Sequence, residues 1–153
     1  MSKTFIPVNT PLLGGNEEAY LTECVRTGWI SSEGPFVTRF EADMAARAGR
    51  EHGIAVCNGS VALDIAVVAL GIGTGDEVIM PAHTIISCPA AVYRAGAVPV
   101  VVDCDPLTYN MRVEDIEARI TPATKAIMVV HIFGMPVDMD PVLEIAKRHN
   151  PVS

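Results

Sequence analysis

The sequence has no run of lysine or arginine, and its 11 basic residues are outnumbered by 18 acidic ones, which leaves a net charge of −7. A charge of that sign disfavours nucleic acid and anionic membrane surfaces as partners. No apolar stretch reaches the roughly 18 residues that a membrane-spanning helix needs, and the N-terminus has no apolar signal core. We therefore expect a cytoplasmic protein that binds neither nucleic acid nor membranes.

Cysteine is also scarce. The four cysteines are scattered, without a C-x-x-C pair, and no H-E-x-x-H metal motif occurs. In a reducing compartment such cysteines are typically buried free thiols, so we expect neither a disulfide nor a metal centre. Half of the residues are hydrophobic and 19% are charged. This composition predicts a folded chain with buried strands or a subunit interface.

Apolar, strand-like runs alternate with helical segments along the chain. After a Pro- and Gly-containing arm, the pattern predicts a helix capped by Asn16, a loop, and a second helix begun by Pro35. It then predicts strands at residues 52–57, 77–80, 98–102 and 126–130, and helices at residues 60–70, 85–95, 112–120 and 141–149. Continuous apolar strands separated by helices favour an α/β fold, mainly a parallel sheet with helices on both faces. The helical residues 61–70 are apolar nearly all round, apart from Asp64, which predicts burial on most sides, either by other parts of the fold or by another chain.

The sharpest local signal is Asn58-Gly59-Ser60, where a predicted strand ends and a helix begins. Free backbone N–H groups at a helix start, the helix dipole and the Ser60 hydroxyl can together bind an anion without a basic side chain. The same residues also suit a plain turn, because Asn-Gly is a common turn sequence and serine a common helix cap. On these residues alone both interpretations stay open.

Other polar residues follow predicted strands. Asp103-Cys104-Asp105 resembles the D-x-D pair that holds a divalent metal and a nucleotide-sugar diphosphate in many glycosyltransferases, although Asp-Pro also commonly starts a loop. His83 and His131 lie in loops at carboxyl ends of predicted strands, where the sites of parallel sheets assemble. No nucleophile motif accompanies either histidine.

Several short motifs, spread over nearly the whole chain, occur in one order: residues 15–17 (GNE), 28–34 (GWISSEG), 40–41 (FE), 58–63 (NGSVAL), 73–81 (GTGDEVIMP), 96–100 (GAVPV), 124–128 (TKAIM) and 131–134 (HIFG). Together they resemble the DegT/DnrJ/StrS family of pyridoxal-phosphate-dependent sugar aminotransferases, particularly its perosamine-synthase-like members. The resemblance implies the N-terminal portion of a fold-type I transferase large domain. In it, residues 1–34 would form an arm, helix and loop, and residues 35–150 the α/β portion.

The resemblance also implies a cofactor, substrates and site residues. The cofactor would be pyridoxal 5′-phosphate (PLP), and the complete protein would be a homodimer that moves an amino group from glutamate to a nucleotide-linked keto-sugar. The cofactor phosphate would be held by Gly59, Ser60 and Val61, and the substrate would lie near Trp29, Ser31, Ser32 and Gly34. Ile85 replaces the aromatic residue that stacks on the pyridoxal ring in many relatives; an aliphatic side chain covers that face without stacking.

Two groups that the family uses have no counterpart in this sequence: the Schiff-base lysine and the carboxylate that pairs with the pyridine nitrogen. The three lysines, Lys3, Lys125 and Lys147, lie in the arm, at the start of a predicted strand and in the last predicted helix. We therefore expect an N-terminal fragment, ending prematurely at residues 151–153, that has no catalytic residue and is inactive alone. The alternatives are a non-catalytic or split-half module that pairs with another chain and, with less support, a metal-dependent glycosyltransferase that uses Asp103 and Asp105.

Overall fold

The computed structural model describes residues 5–7 and 9–149. These residues fall into two compact units, a first unit (Met1–Ala55) and a second unit (Val56–Ser153). Within the described ranges, no helix is long and apolar enough to cross a bilayer.

The first unit contains two helices, α1 (Glu17–Thr27) and α2 (Pro35–Arg47). Pro35 begins α2 as predicted, because a proline at the first helical position loses no intrahelical hydrogen bond. Asn16 occupies the N-cap position of α1, but its side chain does not make the predicted capping hydrogen bond. Instead, the Glu17 carboxylate accepts a hydrogen bond from the Gly15 N–H at 2.8 Å.

Aromatic and polar contacts hold the first unit together. The rings of Tyr20 and Phe36 lie 4.8 Å apart, and the Arg39 guanidinium lies 5.0 Å from the centroid of each ring. This is a cation–π arrangement between α1 and α2. The end of the unit is attached to α2 through Glu41, whose carboxylate accepts a hydrogen bond from the Ala55 N–H at 2.8 Å.

The second unit is built around a parallel sheet. Its helices and strands are α3 (Gly59–Ala69), β1 (Glu77–Pro81), α4 (Ser87–Arg94), β2 (Val98–Val102), β3 (Thr124–Ile127) and α5 (Met139–His149). The three strands are all parallel, in the order β2–β1–β3. Glu77, the first residue of β1, pairs with Val98 of β2 and with Thr124 of β3.

Alternate side chains of β1 enter two different cores. Met80 is buried with Val67 of α3 and Val92 of α4 on one face of the sheet. Ile79 is buried with Val142 of α5 on the other face. The predicted parallel sheet with helices on both faces is therefore confirmed.

Two sequence predictions need correction. Residues 52–57 form no strand, because no other strand pairs with them in the part of the chain that the structure describes. The predicted helix at residues 112–120 consists of two 3₁₀ turns, Val113–Asp115 and Glu117–Arg119, and this tighter winding leaves the side chain of Ile116 fully buried between them.

The burial of α3 within this chain is partial. Val67 is 3% exposed and packs with residues of α4 and β1, but Ile65 and Val68 are 46% and 64% exposed. The described residues therefore cover one side of the helix, and cover of its other sides by another chain stays a prediction.

Candidate functional site

The first turn of α3 is shaped by Asn58. This residue has an extended backbone, and its side-chain oxygen accepts a hydrogen bond from the Val61 N–H at 3.0 Å. Such a side-chain bond is the usual N-terminal cap of a helix. The N–H groups of Gly59 and Ser60 have no hydrogen-bond partner among the described residues. The turn therefore presents two free donors at the positive end of the helix dipole, while the Val61 N–H is already used by the cap.

Gly59 leaves open space beside these donors. A Cβ built on Gly59 would meet no protein atom within 4 Å. The residue is also not among the glycines with positive φ. Neither packing nor backbone conformation requires a glycine here, so the space that it leaves is available to a bound group.

The Ser60 hydroxyl meets the start of a second helix. Its Oγ lies 2.7 Å from Oγ of Ser87, the first residue of α4. Because α4 follows β1, this contact lies at the carboxyl edge of the sheet, where ligands of parallel α/β proteins bind. Ser87 is a site residue that sequence alone does not reveal, since nothing in its local pattern shows that it meets a residue 27 positions earlier.

Sulfur contacts fix the loop between β1 and α4. The His83 N–H donates to Cys104 Sγ at 3.2 Å, and the Thr84 hydroxyl donates to Cys88 Sγ at 3.3 Å. The cysteines are free thiols. Ile85 lies between these anchor points with its side chain 65% exposed, which leaves it available to cover a ring. Its role against the cofactor stays a prediction.

The His83 ring lies against two aromatic rings. It meets Tyr109 and Phe133 edge-on, with centroid distances of 5.7 and 6.1 Å. Tyr109 and Phe133 have φ values of 61° and 50°, a left-handed conformation that few non-glycine residues adopt. His131 has a structural contact, because its Nδ1 accepts the Val137 N–H at 3.0 Å.

The two aspartates of the D-x-D pair shape a turn. Asp105 accepts hydrogen bonds from the N–H groups of Thr108 and Leu107 at 2.8 and 2.9 Å, and these bonds hold the pKa of its carboxyl below the ordinary value. Asp103 accepts one from the Cys104 N–H at 2.8 Å. No group of three or more metal-ligating side chains occurs in residues 5–7 and 9–149. Nothing in this geometry favours the glycosyltransferase alternative.

In the first unit, the predicted substrate segment is organised by Gly34 and Trp29. Gly34 has a φ of +144°, and a Cβ there would lie 3.2 Å from Cβ of Trp29. Trp29 is 50% exposed, and Ser31 and Ser32 are exposed. The expectation that Trp29, Ser31, Ser32 and Gly34 lie near a substrate stays a prediction.

The described lysines belong to other parts of the chain. Lys125 is near the amino end of β3, and Lys147 is in the last turn of α5. Lys3 lies outside the described residues. Neither described lysine belongs to the segments that form the starts of α3 and α4.

Comparison with known proteins decides the family. The sequence profile of the DegT/DnrJ/EryC1/StrS aminotransferase family matches residues 11–152. The chain belongs to this family. It is 52% identical over 145 residues to GDP-perosamine synthase of Caulobacter vibrioides and 46% identical over 146 residues to that of Escherichia coli O157:H7. Both alignments cover 95% of this chain but 39% and 40% of the relatives, so the chain spans about two-fifths of their length.

Solved aminotransferase structures share the fold. NtdA from Bacillus subtilis with bound cofactor PMP (pyridoxamine 5′-phosphate) matches with a TM-score of 0.82 and 34% identity, over 98% of this chain and 37% of its own. An aminotransferase from Psychrobacter cryohalolentis matches with a TM-score of 0.83 and 36% identity, over 97% of this chain and 37% of its own. The predicted fold, the N-terminal portion of a PLP-dependent transferase, is confirmed.

Proposed function

We propose that this chain supplies the phosphate-binding part of the cofactor site in a PLP-dependent sugar aminotransferase. The observation that carries the proposal is the donor set where α3 begins: the free N–H groups of Gly59 and Ser60 and the Ser60 hydroxyl, which meets Ser87 at the start of α4. Backbone N–H groups at a helix start and neutral hydroxyls suit a phosphate, which offers several strong acceptor oxygens. The open space at Gly59 lets a phosphate approach these donors.

Each residue has a distinct role in this proposal. Gly59 and Ser60 donate hydrogen bonds to the phosphate, while Val61 holds the turn in shape through its bond to Asn58. Ile85 covers one face of the pyridoxal ring. When bound, PLP supplies the electron sink that lets an amino group leave one carbon and join another.

The complete protein acts, in this proposal, as a cytoplasmic homodimer in polysaccharide biosynthesis. It moves an amino group from glutamate to a nucleotide-linked keto-sugar, which lies near Trp29, Ser31, Ser32 and Gly34. The two relatives known as GDP-perosamine synthases support this assignment of the substrate class. Because this sequence has no counterpart of the family's Schiff-base lysine, the stretch in this proposal binds cofactor without catalysing transfer.

A second candidate is a non-catalytic or split-half module that pairs with another chain. Exposed apolar side chains favour it: Ile65 and Val68 of α3 are about half exposed or more, and Tyr93 of α4 is 77% exposed. Gel filtration distinguishes this candidate, which predicts that the 153-residue chain elutes as a complex when it is co-expressed with a chain carrying the rest of a family member.

Calorimetric titration of the 153-residue chain with PLP and with pyridoxal tests the main proposal. Because each hydrogen bond to a charged group contributes about 1.5–3 kcal/mol, pyridoxal, which lacks the phosphate, should bind roughly tenfold more weakly or worse. Ser60→Ala should weaken PLP binding, and Thr22→Ala, a control that removes an exposed hydroxyl on α1, should leave it unchanged. Equal affinities for PLP and pyridoxal would contradict the proposal.

The same preparation tests the absence of transfer. With PLP and glutamate, the chain should form 2-oxoglutarate no faster than buffer containing PLP. Formation above that rate would show that this stretch supplies its own proton-transfer group.

A further inference from the structure

We propose that Ser87 is a positioning residue that aims the Ser60 hydroxyl at the cofactor phosphate; this inference rests on the proposed function. The two Oγ atoms are 2.7 Å apart, a distance typical of a hydrogen bond between hydroxyls. The contact joins the first turns of two helices that are separated in sequence. The candidate site therefore involves the first turns of two helices, whereas a simple anion site uses one helix.

The number of protons on the two hydroxyls determines which serine donates to the other when an anion is bound. Two hydroxyls carry two protons, and their mutual hydrogen bond uses one of them. An anion beside Ser60 accepts the Ser60 proton, so the mutual bond must then use the Ser87 proton. The result is a chain of donors from Ser87 to Ser60 to phosphate, and each bond in such a chain polarises and strengthens the next.

The fold holds Ser87 in place before any ligand binds. Ser87 precedes Cys88, which is 4% exposed, receives the Thr84 hydroxyl bond and belongs to the core formed with Val67 of α3. Further along the two helices, Arg94 Nε of α4 donates to the Asp64 carboxylate of α3 at 3.1 Å. Because both helices are fixed to each other and to the sheet, the serine pair does not have to be ordered on binding.

A purely structural role for Ser87 is the competing explanation, since serine is an ordinary residue at a helix start. The two explanations differ in what removal of the hydroxyl changes. A structural role affects folding, or affects all ligands of the site equally. A positioning role affects only ligands that carry a phosphate, and only while Ser60 is present.

The experiment is calorimetric titration of wild type, Ser60→Ala, Ser87→Ala, the double variant and Ser87→Thr, each with PLP and with pyridoxal. Ser87→Ala should weaken PLP binding roughly three- to tenfold, the worth of about one hydrogen bond, and leave pyridoxal binding unchanged. The double variant should bind PLP no more weakly than Ser60→Ala alone. Ser87→Thr, which keeps the hydroxyl, should restore wild-type affinity.

The outcomes separate the two proposals. Unchanged PLP affinity in Ser87→Ala, together with a loss in Ser60→Ala, would overturn the role of Ser87 and leave the proposed function standing. An equal loss for PLP and pyridoxal, or an additive loss in the double variant, would also overturn it. A wild-type chain that does not distinguish PLP from pyridoxal would overturn both. If Ser87→Ala does not fold, Ser87→Cys, a weaker donor of similar size, should show the same selective loss.

Discussion

At the scale of single residues, Gly59 is a position at which ligand binding and folding have different requirements. Its backbone does not require glycine, and a Cβ there would meet no protein atom within 4 Å. The fold alone would therefore accept alanine at this position. The space matters only if a ligand comes close to the N–H groups of the α3 turn.

Gly59→Ala should therefore leave the protein as stable as wild type or stabilise it by up to about 1 kcal/mol, because alanine is the better helix former. The same change should weaken PLP binding roughly tenfold, since the added methyl group occupies the approach to the free N–H groups. Urea unfolding and calorimetry measure the two effects separately. Gly73→Ala, whose Cβ would make only ordinary contact at 3.7 Å, is the matched control and should leave PLP affinity unchanged. Undiminished PLP affinity in Gly59→Ala would show that no phosphate lies beside this turn.

At the scale of helices and strands, local pattern predicted best where the local signal and the packing agree. The strand Val98–Val102 was predicted at its observed bounds because an almost wholly β-branched run suits a strand. The start of helix α3 was predicted to within about one residue, although its cap is Asn58 and not the serine that the sequence suggested. The helix predicted at residues 85–95 begins later, at Ser87, because the residues before it are held in a loop by contacts to sulfur.

The errors come from interactions that sequence pattern does not contain. Residues 52–57 have a strand-like sequence, but a strand forms only beside a partner, and none is present in the described part of the chain. Residues 112–120 have a helix-like pattern, yet the chain must turn tightly to place Ile116 in the core. In both places tertiary context overrides local preference.

The C-terminal end of α5 is attached to a 3₁₀ turn through Glu117. The Glu117 carboxylate lies 2.7 Å from Nε2 of His149 and accepts a bond from Nη2 of Arg148 at 3.2 Å. These partners, His149 first and then Arg148, hold the pKa of Glu117 below its ordinary 4.5. A carboxyl whose pKa is lower in the folded than in the unfolded state stabilises the fold above the unfolded pKa. That contribution is lost as the pH falls through the folded pKa.

Glu117→Gln should consequently lower the melting temperature slightly at pH 7, and the difference from wild type should vanish once the pH has fallen below the lowered pKa of Glu117. The effect is small because the Glu117 side chain is 48% exposed and water screens the charges. Thermal melting by circular dichroism at several pH values measures it. Glu144→Gln, an exposed change on α5 itself, should show no such pH dependence. A difference in melting temperature between Glu117→Gln and wild type that is the same at pH 7 and at the lowest pH measured would exclude the ionic explanation.

At the scale of the whole molecule, the family and fold could be predicted from sequence, and the composition of the site only in part. The motif at residues 58–63 suited either an anion site or a plain turn, and in the structure the N–H groups of Gly59 and Ser60 have no hydrogen-bond partner among the described residues. The partner of Ser60 could not be predicted, because Ser87 reaches it only through the packing of α4 beside α3 on one face of the sheet. Side chains brought together by packing leave no periodic signal in either segment.

The central claim is that a phosphate binds where the first turns of α3 and α4 meet. Amide nuclear magnetic resonance of the 153-residue chain, titrated with PLP and with inorganic phosphate, tests this claim at the atoms concerned. We predict that the amide signals of Gly59, Ser60 and Ser87 shift with both ligands and that, for each ligand, all three signals saturate with the same dissociation constant. Amide signals at these three residues that stay unchanged while PLP binds elsewhere would contradict the account.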